Sequence, residues 1–280
     1  MIATFLYSFT DYNGLTFPPH WVGLKNFSQA FGSGDFWTSV RNTLWWTVVS
    51  VPIGLGVALG LAALLNRKLR WGGLFRTLLY LPSMVPFIGA GIVFAWLFNP
   101  VGGPVNVILG LFHLPQPGWF ISPGSAKPGL LFISLWEVGP TMIIFLAGLQ
   151  SIPTELYEAA AIDGARTWRR FISITVPMLS PTVFFNLILG MIGAFSFFAQ
   201  VLGASAAANN TGSQTGSMHL GDPNNSTLLY AVYVYQQMFQ NFSFGYGAAL
   251  SVMLTVVVAV LAGILFRTAR RWVFYYGEEH

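Results

Sequence analysis

An all-α bundle that crosses a membrane is the fold class this sequence predicts, and three observations predict it. Of the 280 residues, 54% are hydrophobic and only 8% are charged, against roughly 25% charged in soluble domains. Uncharged runs close to the ~20 residues that a helix needs to cross a bilayer recur along the chain. The basic residues collect at the ends of those runs, where they read as topology signals. They do not form the single patch that a nucleic-acid partner requires, despite a net charge of +4. The absence of cysteine excludes disulfides, thiolate metal sites and a cysteine nucleophile. One transmembrane domain, residues 1–280, accommodates the whole chain.

The uncharged runs place complete spans at residues 43–65, 77–99, 129–150, 172–202 and 247–266. In the first, Gly56 and Gly60, with Ala58 and Ala62 nearby, offer a small-residue face for helix contact within the bundle or with a sister subunit. Pro82 and Pro86 predict a bend in the second, and Glu137 interrupts the third. Arg67, Lys68, Arg70, Arg76, Arg166, Arg169, Arg170, Arg267, Arg270 and Arg271 then fall on one side. Only Lys25, Arg41 and Lys127 fall on the other, so the ten mark the cytoplasmic face and the C-terminus is cytoplasmic. The same alternation puts Met1 outside. Residues 1–9 are apolar but too short to cross, which predicts a truncated first span whose earlier part is missing.

Three longer segments face outward. Residues 11–35 carry Asn13-Gly14 and Pro18-Pro19. In residues 99–128 the short apolar run 105–112 reads as interfacial or re-entrant. Residues 203–246 are predicted to begin as a polar loop, 204–220, and to end in an aromatic part. There Tyr230, Tyr233, Tyr235, Phe239 and Phe242 read as headgroup anchors, or, more sharply, as a sugar-stacking surface. His20, His113 and His219 fall in these loops and His280 at the terminus. No pair has ligand spacing, so no metal site is expected.

Residues 151–171 join two long apolar runs on the basic side and are unusually rich in local signals. Pro153 suits the first turn of a short helix, and Glu155 suits the positive end of its dipole. Ala159, Ala160 and Ala161 favour helix and leave little bulk, so another protein's backbone can approach closely. Gly164 permits the left-handed turn that ends the helix, and Asp163 can bond backbone N–H groups beside it. A second helix then leads from Arg166 into the next span. Read alone, this is either a solvated helix-turn-helix or a docking element.

The pattern Glu158-Ala159-Ala160, Gly164, Ile174, Val176-Pro177 resembles the EAA motif of the integral-membrane subunits of bacterial ABC importers. Every spacing agrees, and Val176 in place of Leu is the one departure. SFTDYNG, VGLKNF, RNTLWW, LFRTLLYLP, LAGLQSIP and GYGAAL extend the resemblance over nearly the whole chain. They are similar to the carbohydrate-type, maltose- and glycerol-phosphate-like permeases. The chain departs in its incomplete first span and in the longer, more polar stretch 204–220.

The resemblance implies a permease subunit in the bacterial inner membrane that imports a sugar or sugar-like solute by alternating access. Its partners would be a second homologous permease, two cytoplasmic ATPase subunits, an external solute-binding protein and membrane lipid. It also implies ATPase docking through residues 151–171. Glu158 would be the polar contact, Ala159 and Ala160 the close-packing surface and Gly164 the turn, with Glu155, Asp163 and Ala165 beside them. Lys25, Lys68 and Lys127 follow Leu24, Arg67 and Ala126, so the Gly-Lys-Ser/Thr of a phosphate loop is absent. ATP and Mg are therefore expected in the partner chains, with no cofactor and no catalytic residue here.

Glu137 is a candidate for the solute path, because a carboxylate at span depth costs about 2.5 to 3.5 kcal/mol on insertion scales. A structural hydrogen bond near Pro140 remains the competing reading. Asn186 and Gln200 are further candidates, although amides also hold helices together. A membrane-embedded enzyme acting on lipid would need clustered acid-base and nucleophilic groups. A passive channel would need repeated polar rings.

Overall fold

The computed structural model describes residues 1–67, 69–212 and 220–274, so Lys68, His219 and His280 lie outside the described residues. The described chain is helical: α1 (Ile2–Tyr7), α2 (Lys25–Gly32), α3 (Gly34–Leu65), α4 (Gly72–Tyr80), α5 (Phe87–Leu97), α6 (Pro104–Leu111), α7 (Pro123–Trp136) and α8 (Gly139–Gln150) come first. They are followed by α9 (Thr154–Ile162), α10 (Thr167–Arg170), α11 (Val176–Phe195), α12 (Ala199–Gly212), α13 (Tyr230–Tyr235) and α14 (Phe244–Ala269). A π turn, Phe171–Thr175, joins α10 to α11 without a break, giving one continuous helix Thr167–Phe195.

Among the described residues, α3, Thr167–Phe195 and α14 are long and apolar enough to cross a bilayer, and two bent pairs raise the number to five if each pair is one span. In the first pair a 3-10 turn containing Pro82 ends α4, Pro86 precedes α5, and the axis turns by 99°. Each proline lacks an N–H and disfavours helix in the residue before it, so two of them four residues apart give a break instead of a gentle bend. In the second pair the axis turns by 50° at Glu137 and Val138, with Pro140 in the first turn of α8.

Helix α3 starts nine residues before the predicted span. Ser33 Oγ accepts the Phe36 N–H at 3.3 Å and Asp35 sits in the first turn, so capping extends the helix upstream of its apolar run. The predicted span 172–202 is corrected at its far end: α11 stops at Phe195, and α12 begins at Ala199. Residues 204–212, predicted as loop, belong to α12. The reason is close packing on α5. A methyl added at Gly203 would collide with the Ile88 carbonyl oxygen, and one at Gly91 with the Gln200 carbonyl oxygen. Two glycines facing each other let the backbones meet, an arrangement that small-residue contacts favour in membranes. Residues 213–219 lie outside the described residues.

The chain divides into two compact units. Unit 1 comprises Met1–Val49, Val85–Ile133 and Gly193–Val260. Here the predicted aromatic surface is corrected in part: Tyr230 and Tyr233 are only 5% and 3% exposed. The Tyr230 N–H donates to Thr43 Oγ1 at 2.7 Å, its hydroxyl donates to the Leu250 carbonyl at 2.8 Å, and Tyr233 Oη lies 3.1 Å from Tyr246 Oη. These rings are committed to packing, since a buried phenol needs a partner. Phe239 and Phe242 remain exposed. The run 105–112 forms the short helix α6, whose buried Asn106 accepts the Trp119 Nε1–H at 2.7 Å.

Unit 2 comprises Ser50–Met84, Ser134–Ile192 and Leu261–His280, the last six residues lying outside the described ones. Its core joins Ala58, Ala62 and Leu65 of α3 to Val138, Met142, Phe145, Leu146 and Leu149 around α8, and to Leu179 of α11. The small residues of α3 therefore split between two faces. Ala58 and Ala62 are inside, whereas Gly56 and Gly60 are exposed. Their spacing of two residues turns them about 200° apart on a helix.

Candidate functional site

Helix α9 lies in unit 2 and presents two different sides. Glu155, Glu158, Ala159 and Ile162, spaced by three or four residues, are exposed and share one face. Leu156, Tyr157 and Ala160 are half-buried on the other. Of the two alanines predicted as a close-packing surface, Ala159 is therefore the outward one. Pro153 precedes the helix and Glu155 occupies its first turn, where the carboxylate meets the positive end of the dipole.

The C-terminus of α9 is closed by a Schellman motif. The Gly164 N–H donates to the Ala161 carbonyl at 3.1 Å, and the Ala165 N–H to the Ala160 carbonyl at 2.9 Å. Gly164 has φ of +74°, the left-handed conformation that an L side chain resists. Asp163 is exposed and donates its backbone N–H to the Ala159 carbonyl at 3.1 Å. The side chain that closes the turn is instead Arg170, whose Nε–H donates to the Ala165 carbonyl at 2.7 Å. Thus the guanidinium secures one end of a turn whose other end is held by backbone groups alone.

Several residues here were not legible as site residues. Ile162 is 88% exposed and Trp168 is 71% exposed, one on each side of the turn. Large apolar side chains so open to solvent flank the predicted docking alanines, and Trp168 stacks on Phe171 at 5.9 Å. Tyr157 Oη lies 2.9 Å from Thr175 Oγ1, the last residue of the π turn. A contact across 18 residues has no local sequence signature. The high exposure of Ile162 could have been anticipated, since it lies on the Glu155–Glu158 stripe at helical spacing.

The three polar residues predicted on the solute path fall differently. Glu137 occupies the break between α7 and α8, half-buried, one residue before the N-cap of α8. That position faces the positive end of a helix dipole, which eases the cost of a carboxylate at membrane depth. Asn186 is 2% exposed and donates from Nδ2 to the Thr182 carbonyl within its own helix at 3.0 Å. Gln200 is buried in the second residue of α12, in unit 1, whereas Glu137 and Asn186 belong to unit 2.

A family model described as binding-protein-dependent transport system inner membrane component matches residues 50–273, which include α9 and its turn. A probable ABC transporter permease of Bacillus subtilis (strain 168) is 37% identical over 284 aligned positions, covering 100% of this chain and 87% of that protein. The lactose transport system permease of Rhizobium radiobacter is 36% identical over 252, covering 89% of this chain and 80% of that one. Among solved structures, a bacterial alginate ABC transporter in complex with an alginate pentasaccharide-bound periplasmic protein superposes with a TM-score of 0.77. It is 23% identical, and the match covers 89% of this chain and 83% of that one.

Proposed function

The chain belongs to the family of binding-protein-dependent transport system inner membrane components, and from that premise we propose that it imports a sugar or sugar-like solute through ATPase subunits docked on α9. As a member it is a multi-pass inner-membrane permease subunit, a transport component and not a catalyst, and ATP is bound by separate ATPase subunits. The lactose permeation named for one relative supports the solute class.

The observation that carries the docking reading is the outward stripe of α9. Glu158, Ala159 and Ile162 project from a helix whose end is fixed by Gly164 and whose back is attached to the span helix. A small, rigid, mixed polar and apolar protrusion fits a cleft on another protein, because little side-chain entropy is lost when it is buried. The excess of basic residues on α10 and after α14 supports a cytoplasmic position for this helix under the positive-inside rule. A second homologous permease and an external binding protein would complete the assembly. Alternating access would then expose the solute path, with Glu137 as its polar lining, first to one side and then to the other.

Uptake of radiolabelled lactose, oligosaccharides and a polyol phosphate into proteoliposomes is the test, with the cognate ATPase, partner permease and binding protein present. ATP-dependent accumulation of a sugar is expected. Accumulation that persists without the ATPase, or that never responds to a binding protein, refutes the proposal.

A further inference from the structure

We propose that Tyr157 is a positioning residue: its hydroxyl bond to Thr175 braces the docking helix α9 against the π turn from which α11 springs. The inference rests on reading α9 as the ATPase-docking element.

The chain connects α9 to α10 only through residues 163–166, an exposed turn apart from the half-buried Ala165. A connection at one point passes on a pull but not a twist. Tyr157 supplies a second point. Its ring emerges from the covered face of α9, opposite Glu158 and Ala159 in exposure, and its oxygen meets Thr175 Oγ1 at 2.9 Å. Thr175 is 6% exposed and Tyr157 half-buried, so water competes for this bond from one side only. Together with the Arg170 bond to the Ala165 carbonyl, it closes a ring of structure made of α9, the turn, α10 and the π turn. Rotation of α9 must then rotate the root of α11.

The place of attachment matters as much as the bond. A π turn has a wider, less regular hydrogen-bond ladder than the helix on either side and recurs at functional sites. It is therefore, with Pro181 further along, one of the positions in Thr167–Phe195 where an applied torque is absorbed. A brace anchored on its last residue delivers the torque beyond that soft turn, into Val176 and the 20-residue helix α11.

The experiment uses the complete importer in proteoliposomes and reads two quantities: ATPase co-purification, and solute imported per ATP hydrolysed. Tyr157→Phe keeps the ring and removes one hydroxyl; Thr175→Val keeps the shape and removes the other; Thr175→Ser keeps the hydroxyl. We expect the first two to lower the coupling ratio about fivefold, the factor that corresponds to one net hydrogen bond. They should retain the ATPase, the double variant should be no worse than either single one, and Thr175→Ser should preserve coupling. An unchanged ratio in Tyr157→Phe overturns the proposal. So does loss of the ATPase in that variant, which would make Tyr157 part of the docking surface. The docking reading fails by a different signature, full coupling and full ATPase retention in Glu158→Lys, and that result would overturn both.

Discussion

Replacing Gly164 with alanine isolates the backbone contribution of the turn that ends α9, the proposed docking helix. A methyl group at this position meets no other atom within 4 Å, so the substitution introduces no clash within the chain. What it adds is strain, because φ of +74° costs an L residue roughly 1–2 kcal/mol. If the turn must hold this geometry to present α9, its population falls about 5- to 30-fold relative to relaxed alternatives. Gly164→Asn should recover much of that loss, since asparagine tolerates the left-handed region. Gly164→Pro should be the most severe, because it fixes φ near −65° and removes the N–H that donates to Ala161. The assay is ATPase-subunit affinity for the detergent-solubilised chain, with membrane levels of each variant measured in parallel. The order Gly, Asn, Ala, Pro in falling affinity is expected at equal expression. Wild-type affinity in the proline variant would refute the assigned role of the turn.

Other consequences can be measured separately. Glu158→Lys reverses a charge on the exposed face of α9 and should uncouple ATP hydrolysis from uptake while leaving the chain in the membrane, which paired hydrolysis and uptake assays would detect. Glu137→Gln should weaken solute uptake, seen as a higher half-saturating concentration or a lower maximal rate; unchanged uptake kinetics would remove Glu137 from the path. Gly203→Ala forces a methyl against the Ile88 carbonyl and should destabilise the α5–α12 contact by about 1–3 kcal/mol, the range for overpacking. A lowered thermal midpoint in detergent would report it, and an unchanged midpoint would show that the two helices can separate freely.

How legible each feature was depended on the range of the interaction behind it. The turn at Gly164 could be read from three adjacent residues, because left-handed backbone geometry is a local property. The break at Pro82 and Pro86 was legible for the same reason, although its 99° angle was not, since two prolines mark where a helix stops and not the direction in which the next one starts. The end of α11 at Phe195 was missed because residues 196–198 are as apolar as the helix before them, and hydropathy alone cannot mark a break there. Tyr230 and Tyr233 looked like interfacial anchors by composition. Their burial depends on Thr43 and Leu250 for Tyr230 and on Tyr246 for Tyr233, and these pairings span up to 187 residues. The Tyr157–Thr175 bond, across 18 residues, has no local signature for the same reason.

If α9 docks the ATPase as proposed, the stiffness of its connection would let a small helix act on a long span helix. At 1.5 Å per residue, the 20 residues of α11 extend about 30 Å, so a tilt of about 5° at the root moves the far end by about 3 Å. Such a displacement exceeds the slack of a packed interface, where contacts are lost within about 1 Å. The size of the motion is therefore set less by α9 itself than by how faithfully its rotation passes the π turn. A permease attached through the turn alone could dissipate that rotation at Gly164, the residue with the greatest backbone freedom in the loop. On the proposed docking role, the second attachment at Thr175 would make the flexible turn compatible with tight coupling: Gly164 would shape the docking surface while Tyr157 carried the torque.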